Sequence, residues 1–456
     1  MKICVIGTGY VGLVGAAVFS DWGNEVVGVD IDADKIERIK AGEMPIYEPG
    51  LSQIVSDNIK KGKLSFTTSL YEGMQDAELV FICVGTPQSD SGAADLSAVW
   101  NVSKEIGRNL RSYKVIVTKS TVPVGTNEKI KEIIRDNLNI PVDFDVASNP
   151  EFLREGTSVE DMRDPDRTVI GSDSGKALNI LKILYGHLGK PIVECDLRSS
   201  EMIKYASNAF LATKISFINE MAQLCERAGA NVSLVAKGMG LDNRIGPKFL
   251  RAGIGYGGSC FPKDVAALYR TSTNQAYDFK LLRGVMEVND RQRNHFIYKV
   301  QHYLGENLSN KTLAVLGLAF KSDTDDIRES VSVKIVQELR GLGARINVYD
   351  PQAMLNAKSK LGERNIKYCL GKYDAMEGAD AVLILTEWPD FANLDLDKVR
   401  SLVKEPVIFD GRNMLDPEEV EARGFTYFAV GKVTNGLNVI TEREFGQPGV
   451  ILKNGS

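Results

Sequence analysis

The first thirty residues constrain the fold more than any other stretch of the chain. Lys2-Ile-Cys-Val-Ile6 is a short apolar run suited to a strand buried on both faces, and Gly7-Thr-Gly9-Tyr-Val-Gly12 follows without a gap. A helical stretch from Val11 to Trp22 stops at Gly23-Asn24, and Glu25-Val-Val-Gly-Val-Asp30 reads as a second strand ending in an acid. Strand, glycine turn, helix and strand make one βαβ unit, and such units build parallel sheets covered by helices. In that setting Gly7 permits the tight turn, Gly9 lets a pyrophosphate approach, and Gly12 lets helix pack on strand, with the helix N-terminus facing the phosphates. Asp30 can accept from a ribose 2′-hydroxyl and repels a 2′-phosphate, which favours NAD over NADP. Gly7, Gly9, Tyr10, Val11, Gly12 and Asp30 are therefore the expected first contacts of NAD.

The same pattern recurs. Glu78–Gly85, Lys114–Thr121 and Asp145–Ser148 are further apolar runs, and ligands of parallel sheets sit beyond the carboxyl ends of such strands. Thr86, Thr121, Glu151 and Glu155 lie at or just past those ends, whereas Cys4 and Cys83 read as core. From Ser199 to about Gly229 the chain is helical and nearly continuously apolar, which predicts a helix buried on most sides, a spine between domains and a dimer surface. Lys204 and Asn208 share one face of it. A second helical stretch, about 264–305, leads to strands at 311–320, 345–350, 381–386 and 407–410. This lobe lacks a GxGxxG turn and is not expected to bind a dinucleotide in the same way. Its cations near strand ends, Lys321, Arg328 and Arg412, suit another phosphorylated group.

The expected fold class is α/β: two Rossmann-like domains joined by a long helix and a helical central domain. The expected boundaries are 1–198 for the NAD-binding domain, 199–305 for the central helical domain and 306–456 for the C-terminal domain. A chain of 456 residues accommodates that number. With 25% charged residues and a net charge of −5, no global basic field points to nucleic acid or an anionic membrane. The apolar run at 3–19 is punctuated by Gly7, Gly9, Gly12 and Gly15 and lacks a small-residue cleavage site before Asp21, so a cytoplasmic protein is expected. The six cysteines are scattered, with no CxxC and no pairing with the three histidines, which argues against a metal site or a disulfide framework.

One thiol stands apart. Gly253-Ile-Gly-Tyr-Gly-Gly-Ser-Cys260-Phe-Pro-Lys-Asp264 surrounds Cys260 with glycines that let a substrate approach main chain. An NAD site with a reactive thiol changes the expected reaction: an aldehyde adduct on sulfur can surrender hydride, become a thioester and be hydrolysed to an acid. Lys204 and Asn208 would stabilise the oxyanions, and Asp264, Glu151 and Thr121 would position or deprotonate water.

The motifs taken together resemble the nucleotide-sugar dehydrogenase family, on its UDP-glucose 6-dehydrogenase branch of bacterial size. They are Gly-Thr-Gly-Tyr-Val-Gly at 7–12, Val-Gly-Thr-Pro at 84–87, Ser-Thr-Val-Pro-Val-Gly at 120–125 and Asn-Pro-Glu-Phe-Leu-Arg-Glu-Gly at 149–156. Lys204-x-x-x-Asn208, the cysteine loop, the 320–330 segment and Asp-Gly-Arg at 410–412 continue the series in order. The resemblance implies Cys260 as nucleophile, Lys204 and Asn208 as oxyanion stabilisers, and Asp264, Thr121 and Glu151 as the water-handling group. It implies NAD contacts from Asp30, Lys35, Thr86, Thr121, Glu155, Lys263 and Arg328. UDP-glucose would be held by Phe152, Leu153, Phe249, Gly257, Lys321 and Arg412, with Glu151, Lys204 and Asn208 at the sugar, and Arg244 would reach a neighbouring subunit's substrate in a homodimer or higher homo-oligomer. Alternatives are the same chemistry on GDP-mannose or another nucleotide sugar, a two-electron hydroxyacid dehydrogenase using Lys204, and a non-catalytic NAD or thiol sensor.

Overall fold

The computed structural model describes residues 1–437 apart from residue 90, so 438–456 of the expected third domain lie outside the described residues. The chain divides into two compact units: Met1–Asn208 with Ala266–Tyr277, and Ala209–Val265 with the described residues from Asp278 on.

The described residues of the first unit form eight strands: β1 (Lys2–Ile6), β2 (Glu25–Val29), β3 (Leu64–Thr67), β4 (Leu79–Ile82), β5 (Lys114–Thr118), β6 (Phe144–Ser148), β7 (Thr168–Gly171) and β8 (Ile192–Cys195). They form one sheet in the order β3-β2-β1-β4-β5-β6-β7-β8. Every pairing is parallel except β6 with β7. β1 is flanked by β2 and β4, with Val5 opposite Gly28 and Phe81, and the strand order reverses there, the point beyond whose carboxyl ends sheets of this kind take their ligands. Val5, Phe81 and Val117 are fully buried, as continuous apolar strands require. Helix α1 (Tyr10–Asp21) begins one residue before the expected start because Gly9 is its N-cap, and it buries Leu13, Val14, Ala17 and Phe19. Cys4 and Cys83 are buried, Cys83 one residue beyond β4 rather than within it.

The second unit contains β9 (Thr312–Leu316), β10 (Arg345–Tyr349), β11 (Ile366–Tyr368), β12 (Ala381–Ile384), β13 (Val407–Asp410) and β14 (Thr426–Phe428), all parallel, in the order β11-β10-β9-β12-β13-β14. This repeats the order of the first six strands of the other sheet, down to single atoms. Gly7 has φ 95° and donates to Val29 O at 2.8 Å; Gly317 has φ 98° and donates to Tyr349 O at 2.8 Å. The acids after the second strands diverge, however. Asp350 is buried and accepts from Leu318, Ala319, Gln352 and Ala353 N–H and from Trp388 Nε1, so the fold itself consumes its acceptor capacity. No acid is left for a ribose there, which gives the missing GxGxxG a structural counterpart.

Three helices matter for the site: α2 (Leu197–Ala228), α3 (Phe261–Asn274) and α4 (Lys280–Leu304). The expected helical stretch at 264–305 is two helices, because Ala276 takes φ 53° and its N–H closes back on Thr273 O. Nor is α2 covered on most sides in the single chain: Phe210, Phe217 and Leu224, at seven-residue steps, are 65%, 50% and 54% exposed. Among the described residues no helix is long and apolar enough to cross a membrane, and no cluster of His, Cys, Asp or Glu could hold a metal ion.

Candidate active site

In the first unit the three motif glycines have different neighbours. A Cβ on Gly7 would lie 2.8 Å from Cys83 O, and one on Gly12 only 1.8 Å from Gly7 O, so both are demanded by the fold. A Cβ on Gly9 would meet nothing within 4 Å, and no side chain caps the helix there. The start of α1 thus has open space beside Gly9 and no side-chain cap, a setting that suits a pyrophosphate. Beyond β2, Asp30 Oδ2 accepts from Thr8 N (2.9 Å), Thr8 Oγ1 (2.8 Å) and Lys35 Nζ (3.0 Å). Burial pushes its pKa up, but these hydrogen bonds outweigh burial and hold the carboxyl below the ordinary range. An ionised acceptor beside a Cβ-free helix start fits NAD. Ile31, the next residue, is 96% exposed and was not singled out from the sequence; nothing in the local pattern distinguishes it from other loop residues. Thr86 Oγ1 donates to Thr121 O at 2.9 Å, which links the turns after β4 and β5, and Glu155 is half-buried.

After β6 the chain enters Asn149-Pro150-Glu151. Glu151 Oε1 lies 2.9 Å from Lys204 Nζ, both side chains buried, and Oε2 accepts from Leu153 N–H at 2.6 Å. Burial pushes Glu151 up, but the Lys204 ammonium and the hydrogen bonds prevail, so its pKa lies below the usual carboxylate value. Lys204 Nζ also stands 5.2 Å from the Phe152 ring, whose face carries Arg167 at 3.6 Å. Asn208 follows one helical turn after Lys204 on α2 and is buried. Lys119, which the sequence pattern did not flag, is a second buried lysine: its Nζ donates to Asn149 Oδ1 at 3.1 Å, and burial pushes its pKa down. Tyr185 OH donates to the same oxygen at 2.6 Å, so the turn carrying Glu151 is pinned from two directions.

In the second unit Cys260 is half-exposed and immediately precedes α3, whose first turn closes with Asp264 N–H on Cys260 O at 2.9 Å. Asp264 is buried and accepts from Lys263 Nζ at 2.5 Å. The other thiols are suppressed by burial; Cys83 is pushed up to about 12 and Cys369 to about 11. The bare faces of the loop glycines meet protein. A Cβ on Gly257 would lie 2.4 Å from Glu329 O, and one on Gly258 would be 2.6 Å from the Phe320 ring. Close packing therefore demands glycine at both positions. Side-chain amides hold the same loop: buried Asn219 accepts from Gly253 N–H through Oδ1, buried Gln292 donates to Gly253 O, and half-buried Asn289 both accepts from Tyr256 N–H and donates to Tyr256 O.

Phe249, Gly257, Lys321 and Arg412 share a cavity of about 250 Å³ with Asn219, Arg251, Tyr256, Phe261, Phe320 and Glu387. Phe249 takes φ 65°. Arg412 Nε donates to Leu385 O at 2.8 Å and stands 3.2 Å from Glu387 Oε2. Glu387, three residues past β12, sits where strand-end reasoning could have found it. Arg328 pairs with Asp326 at 2.6 Å, and Arg244 pairs with Asp242 while remaining 88% exposed.

Three successive segments match the models of one family, the UDP-glucose/GDP-mannose dehydrogenases: residues 1–189 its NAD binding domain, 198–291 its central domain and 314–417 its UDP binding domain. The chain is 49% identical over 431 residues to the UDP-glucose 6-dehydrogenase TuaD of Bacillus subtilis, covering 94% of this chain and 93% of that one. It is 46% identical over 438 residues to the UDP-glucose 6-dehydrogenase of Rhizobium meliloti, covering 95% and 100%. Among solved structures, a UDP-glucose dehydrogenase from Pyrobaculum islandicum is similar with a TM-score of 0.89 at 37% identity, covering 94% and 98% of the two chains. A UDP-D-ManNAc dehydrogenase from Pyrococcus horikoshii is similar with a TM-score of 0.83 at 29% identity, covering 96% and 100%. With a glycine turn and an ionised Asp30 that fit the cofactor and a match along nearly its whole length, the chain belongs to the UDP-glucose/GDP-mannose dehydrogenase family and is an NAD-dependent oxidoreductase.

Proposed function

We propose that the protein oxidises the C6 alcohol of UDP-glucose to the carboxylate of UDP-glucuronate in two hydride transfers, with a thioester on Cys260 after the second. The observation that carries the four-electron reading is the place of Cys260, a half-exposed thiol immediately before the 14-residue helix α3, in a loop that borders the cavity. Cys195, also half-exposed, has its pKa raised by burial and lies at the end of β8.

In this reading Gly7, Gly9, Tyr10, Val11, Gly12, Asp30, Lys35, Thr86, Thr121, Glu155, Lys263 and Arg328 hold NAD, which when bound supplies the hydride acceptor for each oxidation. Phe152, Leu153, Phe249, Gly257, Lys321 and Arg412 hold UDP-glucose. Lys204 and Asn208 stabilise the C6 oxyanion as hydride leaves, each donor contributing roughly 3–4 kcal/mol, and the hydroxyl proton passes to solvent water. Cys260 thiolate adds to the resulting aldehyde, and the same two donors hold the thiohemiacetal oxygen until the second hydride leaves and a thioester remains. Water attacks the thioester carbon, the C–S bond breaks, and Cys260 is regenerated. A carboxylate held below its ordinary pKa by an ammonium is a weak base, so Glu151 is suited to orient that water with Thr121 and Asp264.

The division of labour follows the chain: 1–198 for cofactor, 199–305 for the thiol, 306–456 for the UDP group. The open stripe of Phe210, Phe217 and Leu224 supports a homodimer through α2, with exposed Arg244 extending to the neighbour's substrate; sedimentation as a monomer would remove this part. Six free cysteines, one of them catalytic, suit the reducing cytoplasm. The decisive measurement is the NADH yield with each nucleotide sugar. Two NADH per UDP-glucose, and no acid from Cys260→Ser, are expected. One NADH with a stable aldehyde would overturn the thioester, and turnover of GDP-mannose in place of UDP-glucose would overturn the substrate.

A further inference from the structure

One residue lining the second unit's cavity carries a buried donor that the fold does not use. Asn219, on α2, is fully buried and lines the cavity. Its Oδ1 accepts from Gly253 N–H at 2.9 Å, and because a backbone N–H can only donate, this contact fixes which end of the amide is oxygen. Nδ2 is thereby set at the other end, where it is buried with no hydrogen-bond partner among the described residues. The neighbouring amides differ: Asn289 spends both ends on Tyr256, and Gln292 donates to Gly253 O while accepting from Gln223 Nε2. Holding Gly253 needs only an acceptor, and a buried donor left unmade is costly, so a partner from outside the fold is the economical explanation. That partner has a polar setting. A Cβ on Gly253 would lie 3.5 Å from Arg412 Nη1, so the residue that Asn219 grips borders the cation expected to meet phosphate.

We propose that Asn219 is a specificity residue of this cavity: Nδ2 donates to an oxygen of a bound nucleoside diphosphate while Oδ1 holds the loop that leads to Cys260. The inference rests on the cavity being the UDP-sugar site. The acceptor could be a phosphate, ribose or base oxygen, which share the same chemistry, and a ligand series separates them. Calorimetric titration of the full-length protein with UDP, UMP and uridine would compare wild type, Asn219→Asp, which keeps the acceptor for Gly253 and loses the donor, and Asn219→Ala, which loses both. NAD affinity and thermal midpoint serve as fold checks, and Asn219→Ser replaces Asn219→Ala if the latter does not fold. Both variants are expected to bind UDP about tenfold or more weakly with NAD affinity unchanged. A loss shared by uridine places the acceptor on ribose or base; a loss confined to UDP and UMP places it on phosphate. Wild-type UDP affinity in Asn219→Asp would overturn the proposal, since the residue would then act only through Gly253. A loss in Asn219→Asp alone would also overturn it, since charge repulsion would be the cause. If the wild type binds none of the three ligands, the UDP-sugar reading of the cavity is what fails.

Discussion

A buried lysine facing a buried glutamate poses one problem in two forms. Lys204 and Glu151 satisfy each other at 2.9 Å, but neither can be left alone: removing one partner of such a pair strands a charge and costs about 3–5 kcal/mol. Loss of activity in a single variant would therefore confound chemistry with folding. The double variant separates them. Lys204→Met should lower the thermal midpoint and reduce kcat by about a thousandfold. Lys204→Met combined with Glu151→Gln should regain part of the stability, because the two paired charges leave together while buried Lys119 loses the Glu151 charge beside it, and none of the rate. Thermal melts with single-turnover kinetics check this, and recovery of kcat in the double variant would show that Lys204 serves the fold alone.

At the scale of elements, the turn from β1 into α1 makes the clearest division between fold and function. Gly12 cannot accept a methyl group without meeting Gly7 O at 1.8 Å, whereas Gly9 faces open space. Gly9→Ala should therefore melt like the wild type and lose NAD affinity by about tenfold or more, since the added methyl occupies the approach of the pyrophosphate. Gly12→Ala should lose both stability and affinity. Melting curves beside NAD titrations decide it, and unchanged NAD affinity in Gly9→Ala would move the cofactor elsewhere. This turn was legible in the sequence because its requirements are local: a glycine spacing, an apolar run on each side, and an acid at the end of the second run. The cysteine loop was legible as a motif, but the reason for its glycines was not. Their bare faces meet Glu329 and Phe320, and the amides that hold the loop sit 33 to 39 residues away on α2 and α4, where no spacing rule connects them to it. The break between α3 and α4 escaped for a related reason, as Ala276 adopts positive φ without a glycine or proline to announce it.

Across the whole molecule, the helices of the second unit are tied to its sheet by an acid that no motif contains. Glu226, near the end of α2, is buried, and its carboxylate meets Lys299 Nζ at 2.5 Å and His295 Nε2 at 2.9 Å, both on α4, and accepts from Gly431 N–H at 2.7 Å beyond β14. Lys299 in turn donates to Ala429 O at 2.9 Å, so one acid and one lysine join two helices to the segment after the last strand. Burial pushes the Glu226 pKa up, but Lys299 and then His295 pull it down further, from an ordinary 4.5 to about 2. A depressed carboxylate stabilises the fold fully above its unfolded pKa and loses that contribution as pH falls through the folded one. The window is therefore from about 4.5 down to about 2, and nothing from this group changes above it. Glu226→Gln alone would strand Lys299, so the informative comparison is Glu226→Gln with Lys299→Met. Urea midpoints should fall more steeply in the wild type than in the double variant as pH is lowered from about 5 towards 3. If they stay parallel throughout, Glu226 does not tie the helices to the sheet by charge, and the acid sensitivity of the protein belongs to its other paired carboxylates, Asp30 and Glu151 among them.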